Sequence, residues 1–173
     1  MGKEAKEKSY IHGSGSSWIR MKHSGLYDLH HVLNTTRGFL QGKGYFIMDN
    51  GHSESVKSSG KEITFEWKAV RSVTDYVQFF FQVEIVILRE VDVVVEQNDR
   101  KVRMQQGDIE VRFRTWMNKN YRQTFHGATK EFLRQTYEKY IIKQQLSSFE
   151  GKLNNDGDAF WDLIKKTLGG RTR

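Results

Sequence analysis

Three histidines fall within a short stretch, His23, His30 and His31, with Asp28 among them. Asp28 and His31 are three residues apart. On a helix they would share a face and offer a carboxylate and an imidazole, both ordinary metal ligands. A metal site needs more than this. Adjacent His30 and His31 point to different faces, and the HExxH spacing of a helical zinc site does not occur. The expectation is a polar helix face with one half-buried histidine and no metal. His52 and His126 fall in loop-like sequence with no evident partner. There is no cysteine, which excludes disulfides and thiolate metal sites.

The glycine-rich run Gly38-Phe39-Leu40-Gln41-Gly42-Lys43-Gly44 invites comparison with a phosphate-binding loop. Its glycine spacing is wrong, no Ser or Thr follows the lysine, and it follows a helical pattern rather than a strand. It reads as a helix stop and a turn. Glu66, Glu84 and Glu110 are expected on one polar sheet face. Two of them side by side in a closed cleft would raise a carboxyl pKa and permit acid–base chemistry. With Arg and Lys on the same face, a solvated charge ladder is the expected arrangement. None of the serines sits in a nucleophile elbow. No catalytic residues, no cofactor and no metal are therefore assigned.

Two binding constellations remain. Arg112, Arg114 and Trp116 alternate along one strand face, continued by Lys119, Tyr121 and Arg122, with Lys68 on a neighbouring strand. Cations for phosphates and aromatic rings for bases are how single-stranded nucleic acid is held. The second constellation is apolar: Phe65, Trp67, Phe79, Phe81, Phe113 and Tyr137 would line a pocket under a curved sheet. A curved sheet closing on a long C-terminal helix resembles, at the level of fold, the helix-grip lipid-binding architecture. The same six residues would also make a solid core.

The elements that position these residues follow from periodicity. Tyr76–Leu88 is dominated by β-branched and aromatic residues and is read as the central strand. Val77, Phe79, Phe81, Val83, Ile85 and Ile87 share its apolar face. Unbroken, it would span roughly 40 Å, so a long, curved or bulged strand is expected. Val91–Val95 continues it after a bulge. Arg89, Glu90 and Asp92 are expected to guard its far end against edge pairing. Glu62–Val70 and Asp108–Met117 alternate cleanly, as do strands with one wet face. Trp18–Lys22 and Tyr45–Met48 are shorter strands. Asp49-Asn50-Gly51 signals a turn or bulge, and Ser53–Lys61 a polar hairpin connection. A helix is expected over Leu26–Leu40, capped by Ser24, with Leu26, Leu29, Leu33, Thr36 and Leu40 facing inward. A second runs over Thr129–Phe149, with Phe132, Leu133, Thr136, Tyr137, Tyr140 and Ile141 as its apolar stripe. Gly151–Gly157 is expected to break the chain before a third helix, Asp158–Leu168.

The predicted fold is α+β: a two-layer antiparallel meander of four to five strands, with one N-terminal and two C-terminal helices on one face. Residues 1–17 read as a flexible basic arm, 18–168 as a single domain and 169–173 as a basic tail. The net charge of +7 is uneven: residues 1–24 carry +3 and residues 165–173 carry +4, which leaves the body neutral. Basic ends on a neutral body suit docking onto an acidic partner better than a dedicated nucleic-acid face. No run is long and apolar enough for a membrane helix. The leading expectation is a non-enzymatic structural or interaction subunit of a larger assembly, viral or archaeal in character, that docks through its basic termini on a protein partner or a second copy of itself, in the cytoplasm or within an intracellular or viral assembly. Single-stranded nucleic acid through the Arg/Trp face is the second expectation, and an apolar ligand in a helix-grip-like domain the third.

Overall fold

The computed structural model describes residues 8–13, 17–97, 100–120, 122 and 130–169. They form a six-stranded antiparallel sheet with helices on one face. Its backbone is one very long hairpin, β5 (Val77–Gln97) and β6 (Arg100–Lys119). β4 (Gly60–Ser72) and then β3 (Phe46–Lys57) flank β5. β1 (Lys8–His12) and β2 (Ile19–Tyr27) lie end to end along the outer edge of β6.

β5 is bulged, as its length requires. Arg89 takes a left-handed φ of 57°, and the register with β6 shifts between Leu88 and Val91. Two glycines permit it. A Cβ on Gly107 would sit 2.9 Å from the Leu88 carbonyl oxygen, and one on Gly60 would sit 2.8 Å from the Arg89 carbonyl carbon. The alternation read from β5 holds: Phe79, Phe81, Val83, Ile85 and Ile87 are buried under the helices. Each contributes about 1.5–3 kcal/mol of apolar transfer, as an upper estimate.

Several boundaries differ from the sequence reading. Within the expected arm, Lys8–His12 is strand, because β6 extends far enough to offer it a partner. Residues 1–7 and 14–16 of that arm, and 170–173 of the basic tail, lie outside the described residues. The first helix, α1, is Leu29–Gly42, and its cap is Asp28, not Ser24: the Asp28 carboxylate accepts the His31 N–H at 2.9 Å. Ser24 and Leu26 belong to β2, held in register with β6 through the Gly25–Gly107 pair. The polar stretch Ser53–Lys61 is largely strand, laddered to β4, and the Asp49-Asn50-Gly51 signal is a bulge within β3.

The C-terminal helices are redistributed. α2 (Lys130–Thr136) runs into a π-helical turn (Tyr137–Ile141), and the break falls at Ile142. α3 then runs unbroken over Lys143–Thr167, through both glycines expected to stop it. Leu146, Leu153, Phe160 and Ile164 bury its stripe. Gly157 is kept for space rather than for a bend: a Cβ there would lie 2.3 Å from the His12 imidazole.

Candidate functional site

Register places the Arg/Trp constellation on the sheet face away from the helices. Arg112, Arg114 and Trp116 on β6 stand beside Glu84, Gln82 and Phe80 on β5, and Lys68 pairs with Gln82. The face is mixed in charge. Arg112 Nη2 donates to Glu84 Oε1 at 3.1 Å, and Arg114 Nε donates to Gln82 Oε1 at 2.9 Å. Glu66 accepts from Gln82 Nε2 at 2.8 Å, and Lys22 pairs with Glu110 at 3.5 Å. Glu66 and Glu84 stand directly opposite each other on β4 and β5, two of the three glutamates side by side, but each has its own partner on a charge ladder: Gln82 for Glu66, Arg112 for Glu84 and Lys22 for Glu110.

Trp116 is only 4% exposed. It stacks on Phe80 at 5.1 Å with near-parallel planes, Tyr10 packs 5.8 Å away, and Lys8, Lys68 and Arg114 approach its ring. Its indole N–H has no hydrogen-bond partner among the described residues. Two members of the set lie apart. Lys119 pairs with Val77, whose side chain is in the core, so Lys119 is on the helix-side face, where it lines a depression with Glu138, Lys143 and Glu150. Arg122 pairs with Asp75 at 2.9 Å. Tyr121 lies outside the described residues.

The apolar set does converge beneath the sheet. Phe81 and Phe113 stack at 5.4 Å, and both meet Phe160 of α3 edge-on at 5.1 Å. Phe79 packs on Phe149, Phe65 on Trp67, and Tyr137 on Tyr76. Rings from α3 occupy the space that a ligand would need, so the set has the form of a packed core.

Three polar groupings had no sequence signal, because their members are far apart in the chain. In the first, His12 Nδ1 lies 2.9 Å from Thr115 Oγ1 and Nε2 lies 3.3 Å from Asp158 Oδ1. The distances imitate a nucleophile–base–acid relay. Yet Thr115 is fully buried, so its hydroxyl is closed to a substrate, and the grouping fastens β1 to α3. In the second, buried Asp156 of α3 accepts from the Tyr45 hydroxyl at 3.2 Å and pairs with Lys43 at 2.9 Å. Burial, then the Asp156 carboxylate, push the Tyr45 phenol well above its ordinary range. In the third, the Tyr27 hydroxyl lies 3.4 Å from buried Glu90. Burial raises the pKa of both groups. Beside it, Asp108 accepts from Ser24 at 2.6 Å and from Arg89, and these hydrogen bonds lower its pKa.

Past this third grouping the long hairpin leaves the body. The last β4–β5 pair is Lys61 with Glu90, and the last β2–β6 pair is Tyr27 with Gln105. Val91 and Asp92 pair with Gln106 and Gln105, which β2 still flanks. Residues 93–97 and 100–104 pair only with each other among the described residues, as a two-stranded arm. Of the charges expected to guard this end, Arg89 is spent on the bulge and Asp108, and Glu90 is buried against Tyr27. Asp92 stands at the base of the arm, held by Gln105 Nε2 at 3.2 Å. Val91 is 53% and Val94 62% exposed, and Leu26 and Leu88 at the base of the arm are also exposed.

At the opposite end of β5, α2 and the π turn expose a second apolar group. The helical stripe expected to face the core is turned outward at Phe132, Leu133, Tyr140 and Ile141. Only Tyr137 of those residues packs against the core cluster.

Among the described residues no helix is long and apolar enough to cross a membrane, and no group of three or more His, Cys, Asp or Glu is placed to hold a metal. No protein-family model matches the chain, and no curated protein matches its sequence.

Proposed function

We propose that this chain is a non-enzymatic interaction subunit of a larger assembly, and that it docks through the β5–β6 arm. The observation that carries the reading is the arm itself. A two-stranded ribbon is barely stable alone in water. This one projects beyond the sheet with exposed valines and, among the described residues, with no strand paired along either outer edge. Monomeric proteins blunt such edges. The outer edge of β3 carries the usual devices, a bulge at Asn50 with Asp49, Glu54 and Lys57 along it. The edge of β5 carries Val93-Val94-Val95 instead. The outward-facing Phe132, Leu133, Tyr140 and Ile141 add a second apolar surface, consistent with a chain that has neighbours. Of the basic residues expected to dock, Lys8 lies over the Trp116 ring, Lys22 pairs with Glu110 and Lys165 with Asp162, while Lys3, Lys6, Arg171 and Arg173 lie outside the described residues.

The test is affinity capture from cells that make the chain, comparing wild type with the double variant Val91→Lys/Val94→Lys. Both side chains are exposed, so the variant is expected to fold. Partners, or further copies of the chain, should be recovered with wild type and lost with the variant. Identical recovery with both would overturn the reading.

A further inference from the structure

We infer that the outward face of α2 and the π turn docks on an anionic lipid surface, with Phe132, Leu133, Tyr140 and Ile141 entering the interface and Lys139 and Lys143 meeting the headgroups. The surface is separate from the arm, which leaves the opposite end of β5. Phe132, Thr136 and Tyr140 follow at steps of four, and so do Leu133, Tyr137 and Ile141. The two rows therefore lie side by side on one face. Tyr137 is the member that turns inward, edge-on to Tyr76. The four large apolar residues around it are exposed, Phe132 and Tyr140 at 72%, more than any valine of the arm.

Two observations favour a lipid surface over a groove on another protein. The first is the backbone. This face is helical, and even at its break the Ile142 N–H reaches the Tyr137 carbonyl at 3.1 Å. A helix satisfies its own N–H and C=O groups, so it enters an apolar medium at little cost. The open strand edges of the arm do not share that property. The second is charge. Residues 130–143 hold Lys130, Arg134, Lys139 and Lys143 against Glu131 and Glu138. Glu138 accepts from the Tyr76 hydroxyl at 2.5 Å, on the side toward the sheet. Lys139 Nζ lies 5.2 Å from the centre of the Tyr140 ring, and Lys143 follows Tyr140 by one turn. A depression beside the face is lined by Lys119, Lys139 and Lys143 with Glu138 and Glu150, a net positive charge where a headgroup phosphate would sit. Large apolar side chains flanked by lysines, with a tyrosine beneath an ammonium, are the pattern of a helix lying in a membrane interface. An acidic protein would need a groove shaped to four side chains as well as the charge. A bilayer offers both without a matching shape.

The test is co-sedimentation of the full chain with vesicles of phosphatidylcholine alone and of phosphatidylcholine with phosphatidylserine. Wild type should bind the anionic vesicles and leave the neutral ones. Phe132→Ser/Tyr140→Ser, both at exposed positions, should lose binding with unchanged circular dichroism. Lys139→Gln/Lys143→Gln should weaken it about twenty-five-fold, from about five-fold per lysine. Val91→Lys/Val94→Lys, on the arm side, should bind as wild type does. The chain has no cysteine, so a polarity-sensitive dye on Ile141→Cys reports alone. Its emission should shift to the blue with anionic vesicles, and the same dye on Val94→Cys should not respond. No binding by wild type, or no shift at Ile141→Cys, would overturn the inference. So would binding that survives Phe132→Ser/Tyr140→Ser, which would leave the chain's other basic residues holding the vesicle. Equal binding to neutral vesicles would remove the lysines from the account and overturn it too. If Phe132→Ser/Tyr140→Ser instead abolishes capture of a protein while vesicles are ignored, the face has a protein partner and the lipid inference falls.

Discussion

The imidazole of His12 lies directly against the backbone of Gly157, so close that a methyl group on that glycine would fall 2.3 Å from the ring. The contact joins the N-terminal strand to the C-terminal helix, the most distant pairing of elements in the chain. It turns a glycine in mid-helix, normally a weakness, into the condition for packing β1 onto α3.

Gly157 and Gly151 should therefore respond in opposite ways to alanine. Nothing lies within 4 Å of a Cβ at Gly151, so Gly151→Ala should stabilise by about 0.5–1 kcal/mol through helix propensity. Gly157→Ala should cost about 1–3 kcal/mol, because the ring must be displaced from Thr115 and Asp158. In a His12→Ala background that cost should vanish. Urea denaturation of the four chains of this double-mutant cycle checks it, and an unchanged penalty without His12 would refute the contact.

Glu90 makes a prediction about pH. Burial raises its pKa above the ordinary 4.5, against the lowering effect of the Tyr27 hydrogen bond. Between 4.5 and the raised value the folded chain binds more protons than the unfolded chain, so its contribution makes stability fall as pH rises through that window and level off above it. Glu90→Gln removes the charge and keeps a polar partner for Tyr27. Its melting temperature should exceed wild type at neutral pH and converge with it in acid. Thermal denaturation from acid to neutral pH reads the difference, and parallel curves would show that the Glu90 charge costs nothing.

Trp116 separates ring from N–H. Its indole nitrogen is buried without a partner among the described residues, and its ring is stacked on Phe80. Trp116→Phe should preserve the stack, remove the unsatisfied donor and cost under about 1.5 kcal/mol. Trp116→Ala should cost about 3–5 kcal/mol. Equal losses for the two variants, measured by chemical denaturation, would mean that the N–H is bonded after all.

The amino-acid sequence by itself determined the two-layer α+β fold, the central strand, its bulge and the inward face of every core strand. Val77, Phe79, Phe81, Val83, Ile85 and Ile87 declare that face through a period of two, which is local information. It also placed Glu66, Lys68, Glu84, Glu110, Arg112 and Arg114 on the open face, but not Lys119, which lies on the helix side. The tertiary structure decided the rest. Lys8–His12 is strand only because β6 offers an edge, Ser53–Lys57 only because β4 does, and Gly151 and Gly157 remain helical because α3 has a sheet to pack on. Trp116 reads as an exposed stacking ring until Phe80 and Tyr10 close over it. The arm belongs wholly to this second class. Val91–Val95 looks like one more buried strand in any local window; it is left in water because β4 and β2 stop short of it, and where a neighbouring strand ends is a property of the assembled sheet.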